Sequence, residues 1–359
     1  MKKFLCFLLF LPCLIVSAGA YSAGAYAVLD ADTGTILDSS NADTRLPMAS
    51  TTKIMTGLLA AEDSNPNRMI SVPAECAGIE GSSMYLQAGE VISLRDVLYG
   101  LLLCSGNDAA ECIASVCGGR EAFVTRMNQR AAELGLSNTH FDNPSGLDGE
   151  THYTTATELA QLTAYALKNP LFAEIVSTKD YTSGTHYMHN HNKLLSMYSD
   201  CIGVKTGYTQ TAGRCLVSAA SRDGHTVIAV TLNDRDDWND HIAMLDRAFS
   251  TMHTEQIATR GQHAITLPVL SGMQSEVALV CSDDLSASLL GEQSAELVLS
   301  HRGMLYAPFS AGTVCGTAQV VVNGSVVDSC ALITQSDVAL DESQERLSLW
   351  ERLRRKLFS

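Results

Sequence analysis

Ser50-Thr51-Thr52-Lys53-Ile54-Met55-Thr56-Gly57-Leu58-Leu59-Ala60-Ala61-Glu62 is the stretch on which the fold turns. Its periodicity predicts a helix over Ser50–Glu62. Ile54, Met55, Leu58 and Leu59 leave that helix apolar on nearly every side, so it belongs inside a core. Ser50 and Lys53 stand three apart and share a face. Burial disfavours the charged amine and lowers its pKa. Lys53 can then take the proton that makes the Ser50 hydroxyl a nucleophile. A helix start also aims backbone N–H groups at the oxyanion that attack creates. No other Ser-x-x-Lys occurs in the chain.

Two further strings follow in order. Ser105-Gly106-Asn107 comes at the end of a second apolar helix, where Ser105 can project into a cleft and relay a proton. The Asn107 amide offers a donor and an acceptor to a substrate backbone. Lys205-Thr206-Gly207 reads as a strand edge suited to a carboxylate, with a charge on Lys205 and a hydroxyl on Thr206. Gly207 removes a side chain where substrate backbone has to come close. A second Ser-x-Asn, Ser39-Ser40-Asn41, precedes the nucleophile and falls out of order.

Around these strings, Ala25–Leu29 and Thr35–Asp38 predict an opening β-hairpin. Ser93 and Asp96 form a capping-box-like start for a helix bearing Leu94, Val97, Leu98, Leu101 and Leu102 on one face. Ala109–Val116, Arg120–Leu134 and Thr155–Leu167 are helical by the same spacing. Beyond Lys193, Ile202–Lys205, Arg214–Ala220 and Thr226–Leu232 read as adjacent antiparallel strands, and Asp240–Thr251 as a closing helix. One antiparallel sheet completed by both ends of a domain, with an α insertion, satisfies this order. From about Thr254, Val277–Cys281, Glu296–Leu299, Gln319–Val322 and Cys330–Thr334 predict a small all-β domain. Asn323-Gly324 is its clearest hairpin signal.

Lys2 and Lys3, the apolar run Phe4–Val16 and Ala18-Gly19-Ala20 predict a secretory signal peptide over residues 1–20. The mature chain is therefore expected outside the cytoplasmic membrane, at its outer face. A net charge of −15 argues against a nucleic-acid partner. The expected units are a catalytic domain over 21–253, a β domain over 254–338, and a linker with a basic amphipathic helix over 339–359. In the last, Leu347, Trp350, Leu353 and Leu357 form a stripe beside Arg346, Arg352, Arg354, Arg355 and Lys356. Peripheral membrane contact through 346–358 follows from that pattern. Of the eleven cysteines, Cys6 and Cys13 fall in the leader. Cys104, Cys112 and Cys117 lie in apolar helical sequence as small hydrophobes. Cys201 and Cys215 flank the Lys-Thr-Gly turn and can pair across a hairpin; free thiols are the expectation for the set.

Taken together the three strings resemble those of serine-type D-alanyl-D-alanine carboxypeptidases, the low-molecular-weight penicillin-binding proteins. The likeness extends to Leu46-Pro47-Met48-Ala49, Asn143-Pro144-Ser145-Gly146-Leu147-Asp148, His152-Tyr153-Thr154-Thr155-Ala156, Asn190-His191-Asn192-Lys193-Leu194-Leu195, Gly203-Val204-Lys205-Thr206-Gly207-Tyr208-Thr209 and Leu305-Tyr306-Ala307-Pro308. It implies an α/β (α+β) fold: an antiparallel sheet flanked by helices, an α lobe, and an all-β pedestal domain. It implies peptidoglycan stem peptides as substrate, β-lactams as covalent inhibitors of Ser50, no cofactor, and a C-terminus held at the membrane. It also assigns the second oxyanion donor to the Tyr208 N–H. Gly106 stands where class A β-lactamases carry Asp, and Tyr208 where some relatives carry His.

Three other readings compete. A class A β-lactamase needs Glu-x-x-Leu-Asn, and the nearest string, Glu133-Leu134-Gly135-Leu136-Ser137, reads better as a helix end. A catalytically idle penicillin sensor sits badly with a full motif set. A zinc peptidase would draw on His186, His189 and His191, but the chain has no His-Glu-x-x-His and no metal is expected.

Overall fold

The computed structural model describes residues 21–222, 224–290, 293–322, 324–342 and 354. The expected signal peptide, and all of the expected terminal helix but Arg354, lie outside the described residues. Strands β1 (Ala25–Asp30) and β2 (Ile36–Ser40) open the chain. Helices α1 (Lys53–Ala61), α2 (Leu94–Leu102), α3 (Asn107–Val116), α4 (Arg120–Glu133), α5 (Ala156–Leu167) and α6 (Pro170–Ser177) follow. Strands β3 (Cys201–Thr209), β4 (Gly213–Arg222) and β5 (His225–Leu232), then helix α7 (Asp237–Thr251), complete the domain.

The five strands form one antiparallel sheet in the order β2-β1-β5-β4-β3. Successive side chains on a strand point to opposite faces. Ala27, Leu29, Val217, Ile228 and Val230 thus enter the large core shared with α1–α6, while Val28, Ala220, Val227 and Ala229 meet Met244, Leu245 and Ala248 of α7. Helices cover both faces, which is why β5 is a continuous apolar run and not an alternating one.

Every residue of α1 is buried, Lys53 included. Each of its leucines contributes roughly 1.5–3 kcal/mol by leaving water. Where the sequence predicts one helix from Ser50, the chain first makes a 3-10 turn, Ala49–Thr52, and α1 begins at Lys53. Thr51 and Thr52 turn their hydroxyls back to Met48 O (2.6 Å) and Ala49 O (2.8 Å), which tightens that turn. Helix α6, unread in the sequence, has Asn169 as N-cap, accepting from Leu171 N and Phe172 N, with Pro170 in its first turn.

The expected β domain is present. Its six-stranded sheet runs Ala295–His301, Val314–Val322, Ser325–Thr334, Glu276–Cys281, His263–Leu270, Leu305–Tyr306. A ribbon of Met252–Ala258 and Leu285–Leu290 packs with it around a core of its own. Val322 lies opposite Ser325 at the expected hairpin, whose residue 323 is outside the described set. The β3–β4 register puts Cys201 opposite Ala220 and Cys215 opposite Gly207. The two thiols left open for pairing therefore do not meet, and the nine cysteines from Cys76 to Cys330 are free. Among the described residues no helix is long and apolar enough to cross a membrane.

Candidate active site

The nucleophile turn is fixed from below by a chain of hydrogen bonds. Asp142 N donates to His152 Nδ1 (3.0 Å), so the ring proton sits on Nε2. Nε2 then donates to Thr52 Oγ1 at 2.7 Å, and Thr52 donates to Ala49 O. Burial pushes His152 down to about 4, which keeps it neutral and in this tautomer. Ala49 is held at a φ of +49°, and Gly146 lies so close that a Cβ there would collide with the Ala49 carbonyl. Asn143 Oδ1 shapes that second loop, accepting from Ser145 N and Gly146 N (2.7 Å for the latter).

Three oxygens surround Lys53 Nζ: Ser50 Oγ at 2.9 Å, Asn107 Oδ1 at 2.8 Å, and the Ser145 carbonyl. The Asn107 Nδ2 donates to Glu80 O at 2.6 Å, which turns Oδ1 towards the lysine. Amide and carbonyl oxygens only accept. A neutral amine therefore directs its two N–H bonds at Asn107 and Ser145 and its lone pair at the Ser50 hydroxyl. Burial first, and then the charge of Lys205, hold Lys53 well below its ordinary value, against the opposing pull of Asp108 and Glu111.

Strand β3 runs past this turn. A Cβ on Gly207 would stand 3.1 Å from Met48 O, Ser50 N and Thr51 N. The glycine therefore makes room for the nucleophile turn itself, where the sequence suggested substrate. A groove of about 260 Å³ opens in front, lined by Ser50, Ser105, Thr206, Gly207, Tyr208 and Arg214 among others. Ser105 lines it from a left-handed backbone, φ +60°. Such a conformation costs a non-glycine residue of order 1–3 kcal/mol and collects at functional sites.

The chain is similar to known proteins along most of its length. A sequence profile described as D-alanyl-D-alanine carboxypeptidase matches residues 14–236, and one described as penicillin-binding protein 5, C-terminal domain, matches residues 253–340. The chain is 32% identical over 336 residues to D-alanyl-D-alanine carboxypeptidase DacF of Bacillus subtilis, covering 89% of this chain and 86% of that one. It is 31% identical over 343 residues to DacC of Escherichia coli, covering 90% and 86%. The solved structure of penicillin-binding protein 5 from Haemophilus influenzae superposes with a TM-score of 0.75 at 27% identity, covering 90% of this chain and 99% of that one.

The chain belongs to the D-alanyl-D-alanine carboxypeptidase family. It is a serine-type D-alanyl-D-alanine carboxypeptidase of the penicillin-binding proteins, acting on peptidoglycan through an acyl-enzyme.

Within this carboxypeptidase the eight expected residues assemble, but not all in the expected orientation. Asn107, expected to face substrate, is 5% exposed and engaged at both ends by Lys53 and Glu80. Lys205, expected in the groove as a carboxylate clamp, is 1% exposed and donates to Thr206 O at 2.8 Å. Burial pushes it down to about 7. The guanidinium that does line the groove is Arg214, paired with Asp237 at 2.6 Å and lying over the Trp238 ring. The sequence reading missed Arg214 and His152; an arginine opposite Tyr208, and the histidine of His152-Tyr153-Thr154, were the available signals. The three histidines weighed for zinc are engaged apart: His186 with Glu90, His189 with Asp180, and His191 at the groove wall.

Proposed function

We propose that this carboxypeptidase removes the terminal D-alanine from stem pentapeptides through an ester on Ser50. Neutral Lys53 takes the Ser50 proton as Oγ attacks the penultimate carbonyl. The N–H groups of Ser50 and Tyr208 hold the oxyanion. Ser105 passes the proton to the leaving amine as the C–N bond breaks, and Lys53 then activates the water that cleaves the ester. The observation that carries this reading is the set of three oxygens around Lys53 Nζ, which leaves the lone pair to Ser50 alone.

The terminal carboxylate lies against Thr206 Oγ1 and the Arg214 guanidinium, with Lys205 supplying charge. Replacing Arg214 by Lys keeps a cation beside Asp237 but loses the planar fork. It is expected to lower kcat/KM about thirtyfold, mostly through KM, since a hydrogen bond to a charged group is worth about 1.5–3 kcal/mol. An unchanged KM would remove Arg214 from the carboxylate site.

The direct test is D-alanine release from an acylated D-Ala-D-Ala peptide, with penicillin labelling mapped by mass spectrometry. Release together with a penicilloyl adduct on the Ser50 peptide is expected. Fast, complete penicillin turnover without D-alanine release would favour a β-lactamase. The enzyme is further proposed to reside at the outer face of the cytoplasmic membrane, touching anionic lipid through 346–358, a reading supported by the Leu/Arg pattern there.

A further inference from the structure

A second groove, of about 490 Å³, has Tyr85, Gln87, Glu90, His186 and Tyr187 in its walls. Tyr85 and Tyr187 are 77% and 68% exposed, a large aromatic surface to leave in water. Tyr85 is held there against its backbone preference, at a φ of +65°. Its neighbours enforce this. The buried Asp108 carboxylate accepts from Met84 N (3.0 Å), Leu86 N (3.0 Å) and Ser83 Oγ (2.7 Å), and Ser83 Oγ accepts from Tyr85 N (2.8 Å). On the opposite wall Tyr187 belongs to the ribbon Asp180–Ser183/His186–His189, with its hydroxyl on Asp180 (2.6 Å). His186 joins the walls, its ring nitrogens at 3.0 Å from Met84 O and 2.6 Å from Glu90 Oε1.

One loop borders both the catalytic groove and this one. Ser82 lines the first, and its carbonyl accepts from Asn107 N at 2.7 Å; Tyr85, on the same loop, lines the second. Three residues span at most about 10 Å, whereas the four or so residues of a stem peptide between sugar and scissile bond reach about 14 Å. Two exposed rings offer flat apolar faces to the C–H face of a pyranose. Glu90 accepts from His186 and from Gln87 N and keeps lone pairs for hydroxyl and amide protons, and Gln87 adds a carboxamide.

We propose that the Tyr85–Tyr187 groove binds an N-acetylated amino sugar of the peptidoglycan strand whose stem peptide occupies the catalytic groove. The inference rests on the serine carboxypeptidase reading above.

The test compares kcat/KM on a sugar-free acylated D-Ala-D-Ala peptide with kcat/KM on a disaccharide pentapeptide, using the whole mature chain. Tyr85→Ala and Tyr187→Ala are each expected to lose about tenfold on the disaccharide substrate and nothing on the sugar-free one. Tyr85→Phe and Tyr187→Phe, which keep the ring, retain both activities, and penicillin titration counts the folded sites in every variant. Equal losses on both substrates would reduce the tyrosines to support for the loop, and no loss on either would remove the sugar site. Failure of the parent reading shows separately, as D-alanine release from the sugar-free peptide that survives Ser50→Ala.

Discussion

Lys53→Met is expected to slow acylation of Ser50 by about four orders of magnitude while the protein stays folded. The reason is the division of labour at Nζ: Asn107 and Ser145 take the N–H bonds and Ser50 alone faces the lone pair. Methionine fills a similar volume and needs no burial of an amine, which offsets the acceptors it leaves unpaired at about 1–3 kcal/mol each. Stopped-flow penicillin acylation, read beside thermal unfolding, separates the two effects. In residual D-alanine release, the double variant with Ser50→Ala is expected to be no slower than Ser50→Ala alone, because nucleophile and base act as a unit. Independent, additive losses would mean that another group deprotonates Ser50.

Asn107→Asp is expected to lower acylation about a hundredfold at neutral pH and to recover as the pH rises. The sign follows from Lys53 acting as a base. Burial and the Lys205 charge hold its pKa down, so it is neutral over more of the pH range than an exposed lysine. A carboxylate at 107 would favour the ammonium and raise that pKa. The acidic limb of the rate profile would move to higher pH, and rate would return one decade per pH unit along it. Asn107→Ala, lacking the charge, should lose rate without that displacement. A profile for Asn107→Asp that keeps its wild-type acidic limb would show that Lys53 does not titrate as the base.

What could be read in advance was local. Ser50 and Lys53 share a face in a 3-10 turn as they would in an α-helix, because i and i+3 are neighbours in both. The core helices other than α6 followed from apolar spacing. Side-chain direction on strands and loops did not. Lys205 and Arg214 sit on neighbouring strands, and register together with burial decides which reaches the groove. Asn107 looked available to substrate because nothing near it in sequence announces Glu80 O as a partner. In the β domain, Met252–Ala258 was hidden because it continues directly from α7 with a largely exposed, polar face. His263–Leu270 was hidden because Pro268 argues against a strand, yet Pro268 pairs with Glu276 near a sheet edge.

Residue 25 lies opposite residue 232 in the β1–β5 ladder, so the central strand pair joins the two ends of the catalytic domain. Contacts of such long sequence separation form late and slowly. A chain delivered N-terminus first across a membrane would carry β1 and β2 to the far side while β3, β4 and β5 were still to come. The cleft between sheet and α lobe could not close until the last of them had passed. For a chain exported in this way, topology itself would postpone the active enzyme to the compartment that holds its substrate.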